Sequence, residues 1–223
     1  MGKLIVIEGL DGCGKSTQTE LLPSSLSARL PYEVKRIKLP NYDDPSSTLV
    51  KMYLAGDFSD SADGLSPYAA SVFYAADRIA SFKRHWQPDY DAGKLIVADR
   101  YTTSNAIYQL SKLDRSLWDG FLDWLWDFEY EKLGLPSPDA VIFLDVPPED
   151  RAKLLTKRYG GDESKKDIHE RDEAFLLRCR EAAAYTASRS GWHTVTCTDG
   201  EGNMRAIGDI QGELVSIIER TLV

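Results

Sequence analysis

Five short apolar runs recur along the chain, separated by longer stretches with helical spacing. Residues 3–8 ("KLIVIE"), 33–39 ("EVKRIKL"), 94–99 ("KLIVAD"), 139–146 ("DAVIFLDV") and 192–197 ("WHTVTC") are short, rich in β-branched residues and bounded by glycine, proline or polar residues. Such runs predict strands, and the near-continuous apolar ones predict strands covered on both faces. Residues 15–30 predict a helix that begins at a glycine loop and that Pro23 interrupts or bends. Residues 67–86 open on Pro67 and run amphipathic, as a proline-started helix does. Helices are also expected over 116–133, 149–158, 169–189 and 203–222, with a mobile polar loop over 159–167 ("YGGDESKKD"). Strands alternating with helices imply crossover connections and a parallel sheet between two helical layers. No repeat, low-complexity tract or linker divides residues 1–223, so one α/β domain is expected.

Composition narrows the function classes. The 223 residues are 43% hydrophobic and 28% charged, an ordinary globular balance with enough length for a substantial core. A net charge of −8 argues against a nucleic-acid partner, which requires clustered Lys and Arg. It leaves room for a small phosphorylated ligand, for which one local basic cluster is enough. The three cysteines, Cys13, Cys179 and Cys197, form no C-x-x-C pair and imply neither a disulfide framework nor zinc. No apolar run reaches membrane-spanning length, and the first residues show no signal-peptide cleavage region. Position 6 is Val6, which disfavours myristoylation. A cytoplasmic protein without membrane attachment is expected.

The chemistry is concentrated after the first strand. Gly9-Leu10-Asp11-Gly12-Cys13-Gly14-Lys15-Ser16 fits G-x-x-x-x-G-K-[ST] without a gap, between a strand and a helix. Glycines let successive N–H groups point into one concavity, and the following helix adds its positive end. Lys15 then reaches the β- and γ-phosphates, and the Ser16 hydroxyl offers a magnesium ligand. The loop therefore predicts a nucleoside triphosphate, ATP in the first instance. No N-K-x-D occurs to read guanine. The third strand ends in Asp99-Arg100, which a parallel sheet places beside the phosphates, although for such a dipeptide taken alone a surface ion pair is the simpler reading.

Four stretches in order, "EGLDGCGKSTQ", "FYAADR", "DRYTTSNAIYQ" and "FLDVPPE", make the chain resemble the thymidylate kinases of the P-loop nucleoside monophosphate kinase family over essentially its whole length. The resemblance implies a three-layer P-loop kinase fold, a five-stranded parallel sheet with helices on both faces and a short lid near 157–171. It implies Mg²⁺-assisted transfer from ATP to dTMP. Residues Gly9 to Thr17, that is Gly9, Leu10, Asp11, Gly12, Cys13, Gly14, Lys15, Ser16 and Thr17, would hold the donor. Asp11 would approach the acceptor sugar, and Ser16 and Asp99 would face the metal. Tyr74 would stack on thymine and Arg78 bond its carbonyl; their four-residue spacing puts both on one helix face. Arg100 would meet phosphate, Asn105 and Gln109 the base and sugar, and Tyr101 and Ser104 the same pocket. Asp145 stands open between a site role and a structural one.

The P-loop carries no arginine, so added positive charge is expected from the lid, where Lys157, Arg158, Lys165, Lys166 and Arg171 are available and Arg158 is the candidate catalytic group. Two positions depart from the family pattern. No arginine adjoins Pro40, which leaves Lys38 or Tyr42 to grip the acceptor phosphate, and Ile168 follows Asp167 where the family commonly has arginine. The alternatives are a kinase for another deoxynucleotide or nucleoside, or a regulatory P-loop ATPase with no acceptor. Helix 116–133 carries Leu117, Trp118, Phe121, Leu122, Trp124, Leu125, Trp126, Phe128 and Tyr130 on more than one stripe, and helix 67–86 has a similar surplus. One core cannot cover them all, so a homodimer is expected, as the family resemblance also implies.

Overall fold

The computed structural model describes residues 1–59, 61–147, 150, 169, 172–199, 201 and 203–222. Its strands are β1 (Lys3–Gly9), β2 (Val34–Lys38), β3 (Leu95–Asp99), β4 (Ala140–Asp145) and β5 (His193–Thr196), each within the run that predicts it or one residue beyond it. They form one parallel sheet in the order β2-β3-β1-β4-β5. The three central strands are almost wholly buried, whereas β2 and β5 are half-open edges.

Side chains alternate across the sheet with the two-residue period of a strand. On one face Ile5, Ile7, Leu95, Val97, Ile142 and Leu144 meet Leu22 and Leu26 of helix α1 (Lys15–Ser27). The closing helix packs on the same face, through Ile210, Leu214 and Ile218. On the other face Leu4, Val6, Ile96, Ala98 and Val141 meet Phe82, Trp86 and Tyr101. These are the two helical layers that strand–helix alternation implies.

Helix α1 runs on through Pro23 rather than being interrupted there; Pro23 is half-buried, and Leu22 and Leu26 on either side of it are fully buried in the core. Thr48–Ala55 adds a short helix, α2, in a stretch outside the strand–helix alternation. Pro67–Ser81 forms α3 and continues as a π-helical turn over Phe82–Trp86 and a short helix α4, Gln87–Asp91. After the short helix α5 (Asn105–Tyr108), the expected helix over 116–133 is α6 (Trp118–Trp126) followed by a π-helical turn over Asp127–Lys132. Helix α7 (Glu173–Ser190) starts at Asp172, whose carboxylate accepts from Phe175 N at 2.8 Å, a side-chain cap. Helix α8 spans Ile207–Leu222. The loop expected over 159–167, and the helix expected over 149–158 apart from Asp150, lie outside the described residues.

Candidate active site

The turn from β1 into α1 is shaped by its glycines. Gly14 caps α1 with φ +88°, a left-handed conformation that a side chain strains, and it lets the first N–H groups of the helix open outward. At Gly9, a Cβ would sit 2.8 Å from the Leu144 carbonyl oxygen and 2.5 Å from Cys13 Sγ, so only glycine passes between β4 and the loop. Lys15 is buried and folds back along this turn: its Nζ donates to the Leu10 carbonyl at 2.9 Å and lies 3.7 Å from Cys13 Sγ. The thiol thus touches the loop's one cation as well as filling space.

Strand β3 delivers the opposite wall. In register with Ile7, Asp99 ends the strand almost fully buried and accepts from Ser16 Oγ at 3.0 Å. A hydroxyl and a carboxylate converge there on the helix N-terminus, a hard-oxygen pair of the kind that holds Mg²⁺ together with water and phosphate oxygens. Arg36 of β2 lies 3.7 Å from the same carboxylate.

Arg100 follows with φ +71°, a strained conformation for a residue with a Cβ. Its Nη2 donates to Asp11 Oδ1 at 2.6 Å and to the Tyr108 hydroxyl at 3.2 Å; that hydroxyl in turn donates to Asp11 Oδ2 at 3.0 Å. Burial raises the Asp11 pKa, but Arg100 and Lys15 overcome it and hold the carboxyl well below the usual carboxylate range. Beneath the pair lies Glu8, fully buried, whose carboxylate accepts from Tyr101 N, Thr103 Oγ1 and Ser104 Oγ at 3.2, 2.7 and 2.8 Å.

A cavity of about 550 Å³ opens beside these groups. Asp11, Gly12, Gly14, Lys15, Ser16 and Thr17 of the loop line it, together with Tyr74, Arg78, Asn105 and Gln109. Asp99, Arg100, Tyr101 and Ser104 lie along it too, as do Lys38 and Tyr42. The Gln109 side chain is fully buried, and neither end of its amide has a hydrogen-bond partner. An orphaned amide lining a cavity is a group waiting for a ligand. Lys38 is exposed and forms no ion pair or hydrogen bond with the described residues through its ammonium.

Several neighbours of this cavity are not among the residues singled out from the sequence. Asp77 is buried and accepts from Asn41 N at 3.0 Å and Ser46 Oγ at 2.7 Å, which anchors the segment carrying Tyr42. His169 stacks on Tyr108 with ring centroids 5.5 Å apart, and Lys112 donates to the Tyr53 hydroxyl at 2.7 Å. The same hydroxyl lies 2.9 Å from His169 Nε2, within hydrogen-bond distance. Burial, with the Lys112 charge, pulls the imidazole pKa down to about 3, so His169 is neutral. Glu129, on the π-helical turn after α6, pairs with Arg78 at 2.6 Å. Glu8 and Asp77 fall inside the quoted motifs; Glu129 has no local pattern, because its partner is 51 residues away.

Asp145 resolves toward structure. Arg180 binds it through Nε at 2.9 Å and Nη2 at 2.8 Å, and it lines a separate cleft between β4 and α7 rather than the cavity of Lys15. The lid candidates Lys157, Arg158, Lys165, Lys166 and Arg171 lie outside the described residues.

A family model described as thymidylate kinase matches residues 7–206. This chain belongs to the thymidylate kinase family. A probable thymidylate kinase of Thermococcus gammatolerans is 28% identical over 225 residues, covering all of this chain and 99% of the relative. The thymidylate kinase of Synechococcus sp. CC9311 is 31% identical over 200 residues, 87% of this chain and 88% of the relative. The solved thymidylate kinase of Candida albicans superposes with a TM-score of 0.68 at 26% identity, covering 98% of this chain and 92% of that one. The five-stranded P-loop kinase fold expected from the sequence is the fold of these enzymes, and the chain is an ATP-dependent kinase of that family.

Proposed function

We propose that this thymidylate kinase binds ATP and dTMP at opposite ends of the 550 Å³ cavity and transfers the γ-phosphoryl group between them. The observation that carries this is the lining: Lys15 and Ser16 share one continuous space with Tyr74 and Arg78. Loop N–H groups and Lys15 hold the donor phosphates, where negative charge moves onto the leaving oxygen as the bond to γ-phosphorus breaks. Ser16 and Asp99 are the groups that would hold Mg²⁺, which when bound neutralises phosphate charge. Tyr74 stacks on the base, Arg78, Asn105 and Gln109 take its polar edge and sugar, and Asp11 takes the sugar hydroxyl. The uncommitted Lys38 ammonium grips the acceptor phosphate in place of an arginine, as a point charge rather than a two-pronged clamp. Arg158 of the lid supplies charge at the γ-phosphate.

The working form is a cytoplasmic homodimer. No helix among the described residues is long and apolar enough to cross a membrane. Leu49, Phe58, Tyr68, Val72 and Leu117 are exposed on or beside α2, α3 and α6. Release of ADP from ATP, measured with each deoxynucleoside and nucleoside monophosphate in turn, tests the activity. Strong stimulation by dTMP is expected; hydrolysis indifferent to every monophosphate would overturn the proposal.

A further inference from the structure

Glu129 is fully buried, and both its oxygens are saturated by residues at the acceptor end of the cavity. Oε2 accepts from Arg78 Nε at 2.6 Å and Thr102 Oγ1 at 2.8 Å; Oε1 accepts from Arg78 Nη2 at 2.6 Å and Asn105 Nδ2 at 3.1 Å. We infer that Glu129 is a positioning residue that sets the donor–acceptor polarity of the base-reading edge, and so selects for a carbonyl beside a ring N–H. The inference rests on the cavity being the acceptor-nucleotide site.

Polarity follows from what each group is able to do. An ionised carboxylate paired with arginine only accepts. Asn105 must therefore turn its NH₂ toward Glu129, and the same nitrogen lies 3.4 Å from the Ser71 carbonyl. Its Oδ1 is left as the amide's free end, on a residue that lines the cavity. Arg78 only donates: Nε and Nη2 are held by Glu129 and Nη1 lies 3.2 Å from the Tyr101 carbonyl, so the guanidinium plane is fixed. Arg78 and Asn105 thus offer one fixed donor beside one fixed acceptor, whereas the unpartnered Gln109 amide is free to present either. Thymine and uracil meet the fixed pair with a carbonyl oxygen and the adjacent N–H. Cytosine presents an amino group and a bare ring nitrogen, which puts donor against donor and acceptor against acceptor. Buried sites reject such mismatches strongly because the unpaired groups cannot return to water.

Glutamine at position 129 has one acceptor and one NH₂. Whichever way the amide turns, its NH₂ opposes one Arg78 N–H, Nε or Nη2; when it takes the Oε1 place it also faces Asn105, which must flip and show Nδ2 to the cavity. Both bases then match one group and clash with the other. The test is steady-state ADP release by Glu129→Gln with dTMP and with dCMP. The ratio of kcat/KM for dTMP to that for dCMP is expected to fall at least tenfold, through KM for dTMP, with KM for ATP within twofold of the parent. An unchanged ratio in a variant with the parent's circular dichroism overturns the role of Glu129 and leaves the cavity assignment standing. A parent chain that does not phosphorylate dTMP overturns both. Because the variant leaves Arg78 buried beside a neutral group, it risks not folding. The parent labelled with ¹⁵N-asparagine gives a second readout: the Asn105 side-chain NH₂ should be protected from solvent exchange before any nucleotide is added. Protection that appears only on adding dTMP would overturn the proposal.

Discussion

Lys15 is the residue whose loss is most informative. Its ammonium is buried against the loop that holds it, and Cys13 Sγ is its one side-chain neighbour by hydrogen bond among the described residues. Lys15→Ala removes a charge that acts where phosphate charge shifts, a contact worth about 3 kcal/mol in comparable sites, or roughly 10²–10³ in kcat. The fold should survive, because among the described residues the bond to the Leu10 carbonyl is the only strong one lost. Single-turnover phosphoryl transfer measured beside thermal melting checks both halves. His169 sets a second expectation at this scale. Its folded pKa is about 3, below the 6.5 of an unfolded histidine. Between those values the unfolded chain binds the proton and the folded one does not, so stability falls as pH falls from 6.5 toward 3. Around pH 5 this one group contributes a slope of about 1.4 kcal/mol per pH unit. His169→Gln should flatten urea-unfolding free energies over that window by that amount; an unchanged slope would place the imidazole in water.

Elements were legible in the sequence to different depths. The five strands stand out because burial on both faces demands unbroken apolar runs, and the P-loop because phosphate binding demands glycines at fixed spacing. The site residues given by motif, Lys15, Ser16, Tyr74, Arg78, Asp99, Arg100, Asn105 and Gln109, are brought to one cavity. The π-helical turns at Phe82–Trp86 and Asp127–Lys132 were not legible. A π turn adds one residue without altering composition, and it shifts every following side chain around the axis. Phe82 and Trp86, which look surplus on an α-helical wheel, are almost completely buried in the core after the first such turn. The second turn brings Glu129 under Arg78. Nor is the left-handed backbone at Arg100 readable, since nothing about arginine favours it.

At the scale of the whole molecule, the exposed apolar residues predict self-association. Val72 on α3 and Leu117 just before α6 are 45% and 52% exposed. Trp124 and Phe128 stack 5.3 Å apart beside them, and Tyr68 lies edge-on to Trp124. Light scattering at micromolar concentration should give a mass near twice the 25.0 kDa chain, and Val72→Glu should give a soluble particle near the single-chain mass. A parent mass of one chain would sink the dimer. The two ends of the sheet determine what kind of contact this is. Strand β2 is one edge, and it carries Lys35, Arg36 and Lys38; β5, the other, is four residues long with three of them exposed. Charged and very short edges resist adding a strand from another chain, the route by which sheets grow into fibrils. In the proposed dimer, copies of this protein are therefore expected to meet through helices, with their backbones out of the contact. Amide hydrogen exchange along β2 and β5 should be the same in the parent and in Val72→Glu, while α3 and α6 record the partner's departure.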